Sequence, residues 1–243
     1  MSDSLSTVIR QRYQRICEQV AEAAIRSGRT ADSVRLVVVT KSQPLSTIQA
    51  ALEAGITRLG ENYAEEAVEK MQRLAAAGVE WHMIGHVQSR KAALVARHFA
   101  MLHSLDSVKL ARRLNDFCQQ EKRLLPVLLE FNVSGEASKF GFPAWEEAHW
   151  PDLLADLEAI LALPSLQIRG LMTMPPYFED PERARPYFRR LRHLQDFLRQ
   201  RLPQGRWDEL SMGTSADFLA AIEEGATWVR VGQAILGPRP PKE

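Results

Sequence analysis

The sequence predicts an α/β fold: a single (β/α)8 barrel of the TIM type with an extra N-terminal helix and no second β-domain. Three observations support this. The chain has 243 residues, close to the typical length of such barrels. Eight short strand-like segments alternate with helical patterns from about residue 36 onward. The first strand is not followed by a GxGxxG loop. A loop of that kind would favour the alternative fold, a doubly wound open sheet.

The predicted strands are mostly short apolar runs, a pattern typical of strands buried on both faces of a parallel sheet. They lie at residues 36–40, 57–61, 80–85, 100–106, 126–133, 168–174, 209–213 and 228–232. Eight strands of this kind favour a closed barrel over an open sheet.

Helices are predicted between the strands because apolar residues repeat there at helical spacing. An additional amphipathic helix over residues 5–27 precedes the first strand, and Gly28 is expected to end it. Gly78 is expected to end the helix that begins near residue 64. Either Asp106 or Ser107 is expected to cap the helix that begins directly after these two residues. We predict one domain over residues 1–243, with residues 1–35 as a helical extension packed on the barrel.

The composition excludes several classes of protein. The formal net charge of +1 gives no global field that would attract nucleic acid or anionic lipid. Cys17 and Cys118 match neither a disulfide framework nor a metal-site spacing, and they suit a reducing compartment. Neither a signal-peptide core nor a membrane-spanning apolar run is present. We therefore expect a soluble cytoplasmic monomer without nucleic-acid or membrane partners.

The stretch VVVTKSQP at residues 37–44 places Lys41 at the end of an apolar strand. Either its ammonium group reaches solvent where the strand emerges, or its amine performs covalent chemistry. The chemistry of (β/α)8 barrels is located at the carboxyl ends of the strands, and small, polar and glycine residues gather at those ends here. This grouping favours the second interpretation.

The last two strand ends predict a phosphate site. SMGTSADF places Gly213, Thr214 and Ser215 before an apparent helix start at 216–217, and WVRVGQAILG places Gly232 before a short helical turn. The loops after strands 7 and 8 of such barrels commonly bind phosphate through backbone amides. The alternative is that Ser215 caps a helix and the glycines serve turns.

A lysine at strand one facing a phosphate site across the barrel mouth suggests pyridoxal 5′-phosphate (PLP), whose aldehyde forms a Schiff base with lysine. Arg230 is the candidate contact of the ring nitrogen, because it shares a strand face with Gly232. An arginine there disfavours protonation of the ring and argues against strong carbanion chemistry. The alternative for Arg230 is an ion pair at the barrel rim.

The sequence resembles the pyridoxal phosphate homeostasis proteins. The matching stretches are VVVTKSQP, GENYAEEAVEK, WHMIGHVQSRK, HSLDS, NVSGEASKFGF, RGLMTMPP and LSMGTSADFLAAIEEGATWVRVGQAILG. The resemblance implies an alanine-racemase-like barrel that binds PLP, acts in vitamin B6 supply and has no established turnover.

The resemblance also implies roles for individual residues. Lys41 would hold the cofactor as a Schiff base, and Arg230 would meet its ring nitrogen. The ring pocket would be lined by Asn62 and Met212. The phosphate would be held by Thr214, Ser215 and the backbone of Gly213 and Gly232. A second layer would contain His82 and Met172. Two residues beside the phosphate depart from the family's usual pattern: Thr214, where members usually have methionine, and Gln233, where they often have a small hydroxyl residue.

The expected function is therefore a carrier of PLP, with PLP-dependent apoenzymes as candidate recipients, and we expect no enzyme turnover. The alternative is a weak PLP-dependent amino-acid racemase. A racemase needs a second acid-base group, usually supplied with the help of another domain, and the four tyrosines of this chain are more simply explained by packing.

Three further features are interpreted conservatively. HMIGH at residues 82–86 spans a strand end, where its spacing does not make a metal site. Residues 183–201 form a basic amphipathic pattern typical of a solvated outer helix. Residues 132–142 are rich in small residues and predict a mobile flap over the mouth, with Lys139 able to attract the phosphate.

Overall fold

A computed structural model describes residues 4–239 of the chain and contains a closed barrel of eight parallel strands. The eight barrel strands are β1 Arg35–Val39, β2 Arg58–Glu61, β3 Glu80–Met83, β4 Met101–Leu105, β5 Leu125–Asn132, β7 Leu166–Met172, β8 Glu209–Ser211 and β9 Trp228–Val231, and β6 is the additional strand Phe142–Pro143. The short β6 pairs only with β5 and lies outside the barrel. The barrel closes because β1 pairs with β9 and β4 pairs with β5. The predicted fold class is confirmed.

Helices connect the strands on the outside of the barrel. The α-helices of the described residues are α1 Leu5–Arg26, α2 Leu45–Glu53, α3 Ala64–Leu74, α4 Ala92–His98, α5 Val108–Gln120, α6 Leu154–Leu161, α7 Arg185–Arg201, α8 Phe218–Glu223 and α9 Gln233–Leu236. Short 3-10 segments precede α4, α6 and α7. In this part of the chain, every helix is too short or too polar to cross a membrane.

The N-terminal helix α1 packs on the barrel as part of the same core. It contacts α2, α8 and α9, and it buries Ile9, Ile16 and Val20. Gly28 has φ +73°, and its N–H donates to the carbonyl of Ile25, so the predicted stop signal is confirmed. The predicted domain of residues 1–243 extends beyond the described residues at both ends.

Local interactions moved two predicted helix boundaries and selected between two predicted caps. The helix α3 ends at Leu74, where Ala75 with φ +43° forms the C-cap, and so it stops before Gly78. Of the two candidate caps for α5, Ser107 accepts a hydrogen bond from the N–H of Leu110. The helix α8 begins at Phe218, later than the predicted start at residues 216–217, for a reason that the site geometry explains.

The barrel interior holds a small apolar cluster, separate from the large core between strands and helices. Its members are Val37, Met101, Leu128, Met172 and Trp228. Buried polar side chains share this interior with them, because successive side chains of a strand alternate between the interior and the helix layer. The interior polar residues define the floor of the cavity described below.

Gly170 allows β7 to approach β8 closely. It pairs with Glu209, has φ +153°, and a Cβ atom at this position would lie 1.9 Å from the Glu209 carbonyl oxygen. The obstacle is main chain, which cannot rotate away as a side chain can.

Gly170→Ala is therefore expected to lower the free energy of unfolding by roughly 3 kcal/mol, since backbone strain and overpacking add. Gly28→Ala is the matched control, because its Cβ would meet no atom within 4 Å. The control is expected to cost only about 1 kcal/mol, from its positive φ. Urea unfolding measures both, and equal losses would contradict this explanation.

Candidate functional site

A cavity of about 740 Å³ opens at the carboxyl ends of the barrel strands. This is the end of a (β/α)8 barrel that binds ligands, and the volume is typical of small-molecule sites. Most residues predicted to contact a ligand line it: Lys41, Asn62, Thr214, Ser215, Arg230 and Gly232. The fold therefore brings together residues that are far apart in the sequence.

Lys41 is half-buried in the cavity wall, two residues after the end of β1. Burial lowers the pKa of its amine, and the positive charges of Arg239 and Arg230 lower it further, while Glu61 opposes the shift. A lower pKa increases the fraction of uncharged amine near neutral pH. The uncharged nitrogen is the nucleophilic form, so this environment suits covalent chemistry at Lys41.

A buried polar network fixes the backbone immediately before Lys41. Thr40 donates its hydroxyl hydrogen to the carboxylate of Glu61 (2.7 Å). Lys70 donates to the same carboxylate (2.7 Å) and to the carbonyl of Thr40 (3.1 Å). This network was not predicted from the sequence. The available signal was the position of Lys70, three residues after Ala67 on the buried face of α3.

The residue after Lys41 is also held. Ser42 has φ +57°, and its N–H donates to the carboxylate of Glu66 (3.2 Å), which also pairs with Lys70. The chain therefore turns sharply after Lys41, and the turn is tied to α3 on both sides of the lysine. This arrangement limits the backbone positions from which the Lys41 amine can extend.

The loops after β8 and β9 are joined by a hydrogen bond. The N–H of Gly232 donates to the hydroxyl oxygen of Ser215 (3.2 Å). Thr214 donates both its N–H (2.6 Å) and its hydroxyl hydrogen (3.0 Å) to the carboxylate of Asp217. Because the Asp217 side chain bonds back to Thr214, the turn persists to Asp217 and α8 starts at Phe218. Ser215 thus bridges two loops and does not cap a helix.

Gly213 and Met212 do not line the cavity. Gly213 has φ +93°, and a Cβ atom there would lie 2.6 Å from Ala221 Cβ and 2.9 Å from Phe218 Cα. Glycine is therefore required for packing against α8. Met212 is fully buried in the core outside the barrel, because Ser211 faces the interior and the next side chain faces the opposite side.

Arg230 extends from β9 into the floor of the cavity and is only 3% exposed. Its guanidinium donates to the hydroxyl of Ser211, to the carbonyl of Thr173 (2.9 Å) and to the sulfur of Met174. Burial lowers the pKa of Arg230 to about 10, while Asp217 and Glu130 act in the opposite direction. The group stays charged at neutral pH and presents only donors.

Asn62 follows β2 and lines the cavity. Its Oδ1 atom is buried and has no hydrogen-bond partner among residues 4–239. A buried acceptor without a partner costs free energy, so a ligand donor would stabilise this side chain. His82 and Met172 lie in the barrel interior, outside the cavity lining.

Glu130 in β5 also lines the cavity and was not predicted. Burial raises its pKa to about 7, and the negative charge of Asp106 adds to this effect, while Arg230 and Lys139 oppose it. The available signal was a carboxylate within the apolar run PVLLEFNV. A carboxyl group that titrates near neutral pH therefore lies in the same cavity as Lys41.

The segment 132–142 reaches the cavity mouth. Phe140 stacks on the ring of His86 at 3.8 Å between centroids, and His86 pairs with Asp106 (2.6 Å). Lys139 also lines the cavity. His86 and His82 are thus separated, because one lies at the mouth and the other in the barrel interior.

The sequence matches a known protein family. The model of the alanine racemase N-terminal domain matches residues 15–240. A protein of Vibrio alginolyticus named pyridoxal phosphate homeostasis protein is 41% identical over 235 residues, which cover 95% of this chain and 97% of the other. The protein of the same name from Escherichia coli K12 is 40% identical over 225 residues, covering 91% and 93%.

Solved structures show the same fold. PipY of Synechococcus elongatus PCC7942, determined with PLP bound, has a TM-score of 0.78 at 35% identity and covers 91% of this chain and all of its own. Alanine racemase of Clostridium difficile 630 has a TM-score of 0.69 at 13% identity, and the match spans 57% of that enzyme. The racemase match concerns the barrel fold alone. The chain belongs to the family of pyridoxal phosphate homeostasis proteins, which shares the barrel of the alanine racemase N-terminal domain.

Proposed function

We propose that the chain binds PLP in the barrel cavity and acts in the homeostasis of this cofactor by holding and releasing it. The observation that carries the proposal is the half-buried Lys41, whose pKa is lowered in a cavity that also contains Arg230 and the joined loops after β8 and β9. The names of the relatives and the PLP bound in PipY support the same ligand.

The cavity residues fit PLP in size and chemistry. A volume of about 740 Å³ accommodates a ligand of this size. Asn62 offers a buried acceptor that lacks a partner within the described part of the chain, and Arg230 offers a buried cation. Several cationic side chains around one cavity favour a ligand with an anionic group.

Lys41 is the proposed covalent anchor. Bound PLP supplies an aldehyde and an electron-accepting ring. Lys41 would hold the cofactor through its uncharged amine, as a Schiff base with that aldehyde. Since water can reverse a bond of this kind, a covalent anchor at Lys41 would be compatible with release of the cofactor.

Ser215 is the proposed hydroxyl donor to the phosphate. Its oxygen accepts the N–H of Gly232, which leaves its own hydrogen free to donate into the cavity. Thr214 already donates its N–H and its hydroxyl hydrogen to Asp217. We therefore assign Thr214 an indirect role, in which it holds the loop and contributes no donor.

Arg230 disfavours enzymatic turnover. A guanidinium has no acceptor atom, so it can only donate to the ring nitrogen and does not stabilise a protonated ring. This supports a carrier that lacks a physiological reaction of its own. We expect the carrier to work in the reducing cytoplasm, as the free Cys17 and Cys118 suggest, and to pass PLP to apoenzymes as a monomer.

Lys41→Ala is expected to abolish the Schiff-base absorbance band that the wild type keeps after incubation with PLP and removal of free PLP, because the covalent bond cannot form. Borohydride reduction of the wild type, followed by peptide mapping, is expected to place the label on Lys41. Lys139→Ala is the control, since Lys139 lines the same cavity, and it is expected to keep the label at Lys41. A label on another lysine in the wild type would refute the assignment.

The rate of covalent attachment is expected to rise with pH through a midpoint below the ordinary lysine value of 10.5, because burial and two arginines lower the pKa of Lys41. Arg239→Gln removes one positive charge, so the ammonium form becomes less unfavourable and the midpoint moves upward. Stopped-flow absorbance across a pH series measures both midpoints. A wild-type midpoint at or above 10.5 contradicts the proposed electrostatics.

Ser215→Ala is expected to weaken PLP binding about tenfold, the loss typical of one hydrogen bond to a charged group. Thr214→Val, which keeps the side-chain shape, is expected to change affinity less than about threefold because its hydroxyl already serves Asp217. Equilibrium titration of PLP measures both. The assignment fails if Thr214→Val costs as much as Ser215→Ala.

A further inference from the structure

The barrel interior contains a chain of hydrogen bonds that the proposed function does not use. It begins at Arg230, whose guanidinium donates to the hydroxyl of Ser211. The Ser211 oxygen lies 2.9 Å from His103 Nδ1, and His103 Nε2 lies 2.9 Å from His82 Nδ1. Four side chains from four strands are therefore connected in series below the cavity.

All members of the chain are enclosed. His103 and Ser211 are fully buried, and His82 and Arg230 are almost fully buried. The ring of Trp228 packs against both imidazoles, with centroids 5.2 Å from His82 and 5.6 Å from His103. Burial lowers the pKa of His82 to about 4 and the pKa of His103 well below its usual range. Both rings are therefore neutral at neutral pH.

The charged groups that face the two rings come from neighbouring strands. Glu80 on β3 and Arg58 on β2 face His82, and Arg35 on β1 faces both histidines. His82 Nε2 lies 3.7 Å from the carboxylate of Glu80, which is the first residue of β3 and is half-exposed. The chain thus runs from the cavity toward the opposite end of the barrel.

The donors in this chain have one consistent direction. Arginine only donates, so the Ser211 oxygen accepts from Arg230 and its hydrogen points to His103 Nδ1. His103 then carries its hydrogen on Nε2 and donates to His82 Nδ1. His82 carries its hydrogen on Nε2, which faces an acceptor, the carboxylate of Glu80. In the opposite direction, Arg230 and His103 Nδ1 would both donate to the Ser211 oxygen. The Ser211 hydroxyl hydrogen would then lose His103 Nδ1 as its acceptor.

We propose that His103 is a positioning residue for the cofactor site: it accepts the hydroxyl hydrogen of Ser211, keeps the Ser211 oxygen turned toward Arg230, and so holds the guanidinium in place as a donor to the cofactor ring. The inference deepens the proposed function and rests on it. It predicts that a buried histidine outside the cavity lining sets the affinity for PLP.

The first test needs no cofactor. Long-range nitrogen-proton NMR of the full chain, labelled with nitrogen-15, reports the tautomer of each histidine. We expect His82 and His103 both to be neutral, with hydrogen on Nε2, from pH 6 to 8. Hydrogen on Nδ1 of His103 would overturn the proposal, because Ser211 would then receive a second donor.

The second test uses four variants and a PLP titration of each. His103→Phe and Ser211→Ala remove the link and are expected to weaken PLP binding about tenfold. His103→Gln retains one acceptor and one donor, so it is expected to bind within about threefold of the wild type. Met101→Ala opens a cavity in the same interior cluster without removing a hydrogen bond, and it is expected to lose stability but not affinity.

The outcomes separate the two proposals. A wild-type chain that fails to bind PLP refutes the proposed function. The positioning role alone is refuted if the wild type binds PLP and the variants His103→Phe and Ser211→Ala both bind PLP as tightly as Met101→Ala does. Affinity lost in His103→Phe and recovered in His103→Gln supports it, since a purely structural loss would follow stability in all variants.

Discussion

The pairing of β1 with β9 is the constraint on which the site depends. It closes the barrel and sets Val37 opposite Arg230 and Val38 opposite Val231. Lys41, just beyond the end of β1, therefore lies beside the loop that follows β9. A parallel pair with this register fixes the positions of both Lys41 and Arg230 in the cavity before any ligand is considered.

The barrel interior is closed at the amino-terminal ends of the strands and open at their carboxyl ends. At the amino-terminal end, Arg35 pairs with Glu209 and lies over the ring of Trp228. The middle layer contains the histidine chain and its apolar neighbours, and the upper layer opens into the cavity. Such stacked layers are general in (β/α)8 barrels. Here the polar members of the middle layer support the buried guanidinium of Arg230, whose desolvation is otherwise costly.

The strands and the position of Lys41 at a strand end were predictable because those features have local signals. Apolar runs of strand length identify buried strands, and a lysine at the end of one is unusual. Met212 was assigned to the ring pocket, yet the alternation of side chains along β8 places it in the outer core. Counting alternate residues from Arg230 and Ser211 would have shown which face Met212 occupies. This count requires the strand register, which the sequence alone does not give.

Other features were not predictable because they join distant positions. His103 and Ser211 are 108 residues apart, and their contact exists only once the barrel has closed. Glu61 and Lys70 likewise meet only when α3 packs against the ends of β1 and β2. The Thr214 contact differs because it is local: its donors were expected to serve a phosphate, but the carboxylate of Asp217, three residues later, accepts them.

The most direct measurement is a crystal structure of the chain grown with excess PLP. We expect continuous electron density from Lys41 Nζ to the cofactor, the ring nitrogen within hydrogen-bonding distance of Arg230, and the phosphate between the loops after β8 and β9. A cofactor bound elsewhere, or a cavity in which Lys41 is separate from the ligand, would contradict the account.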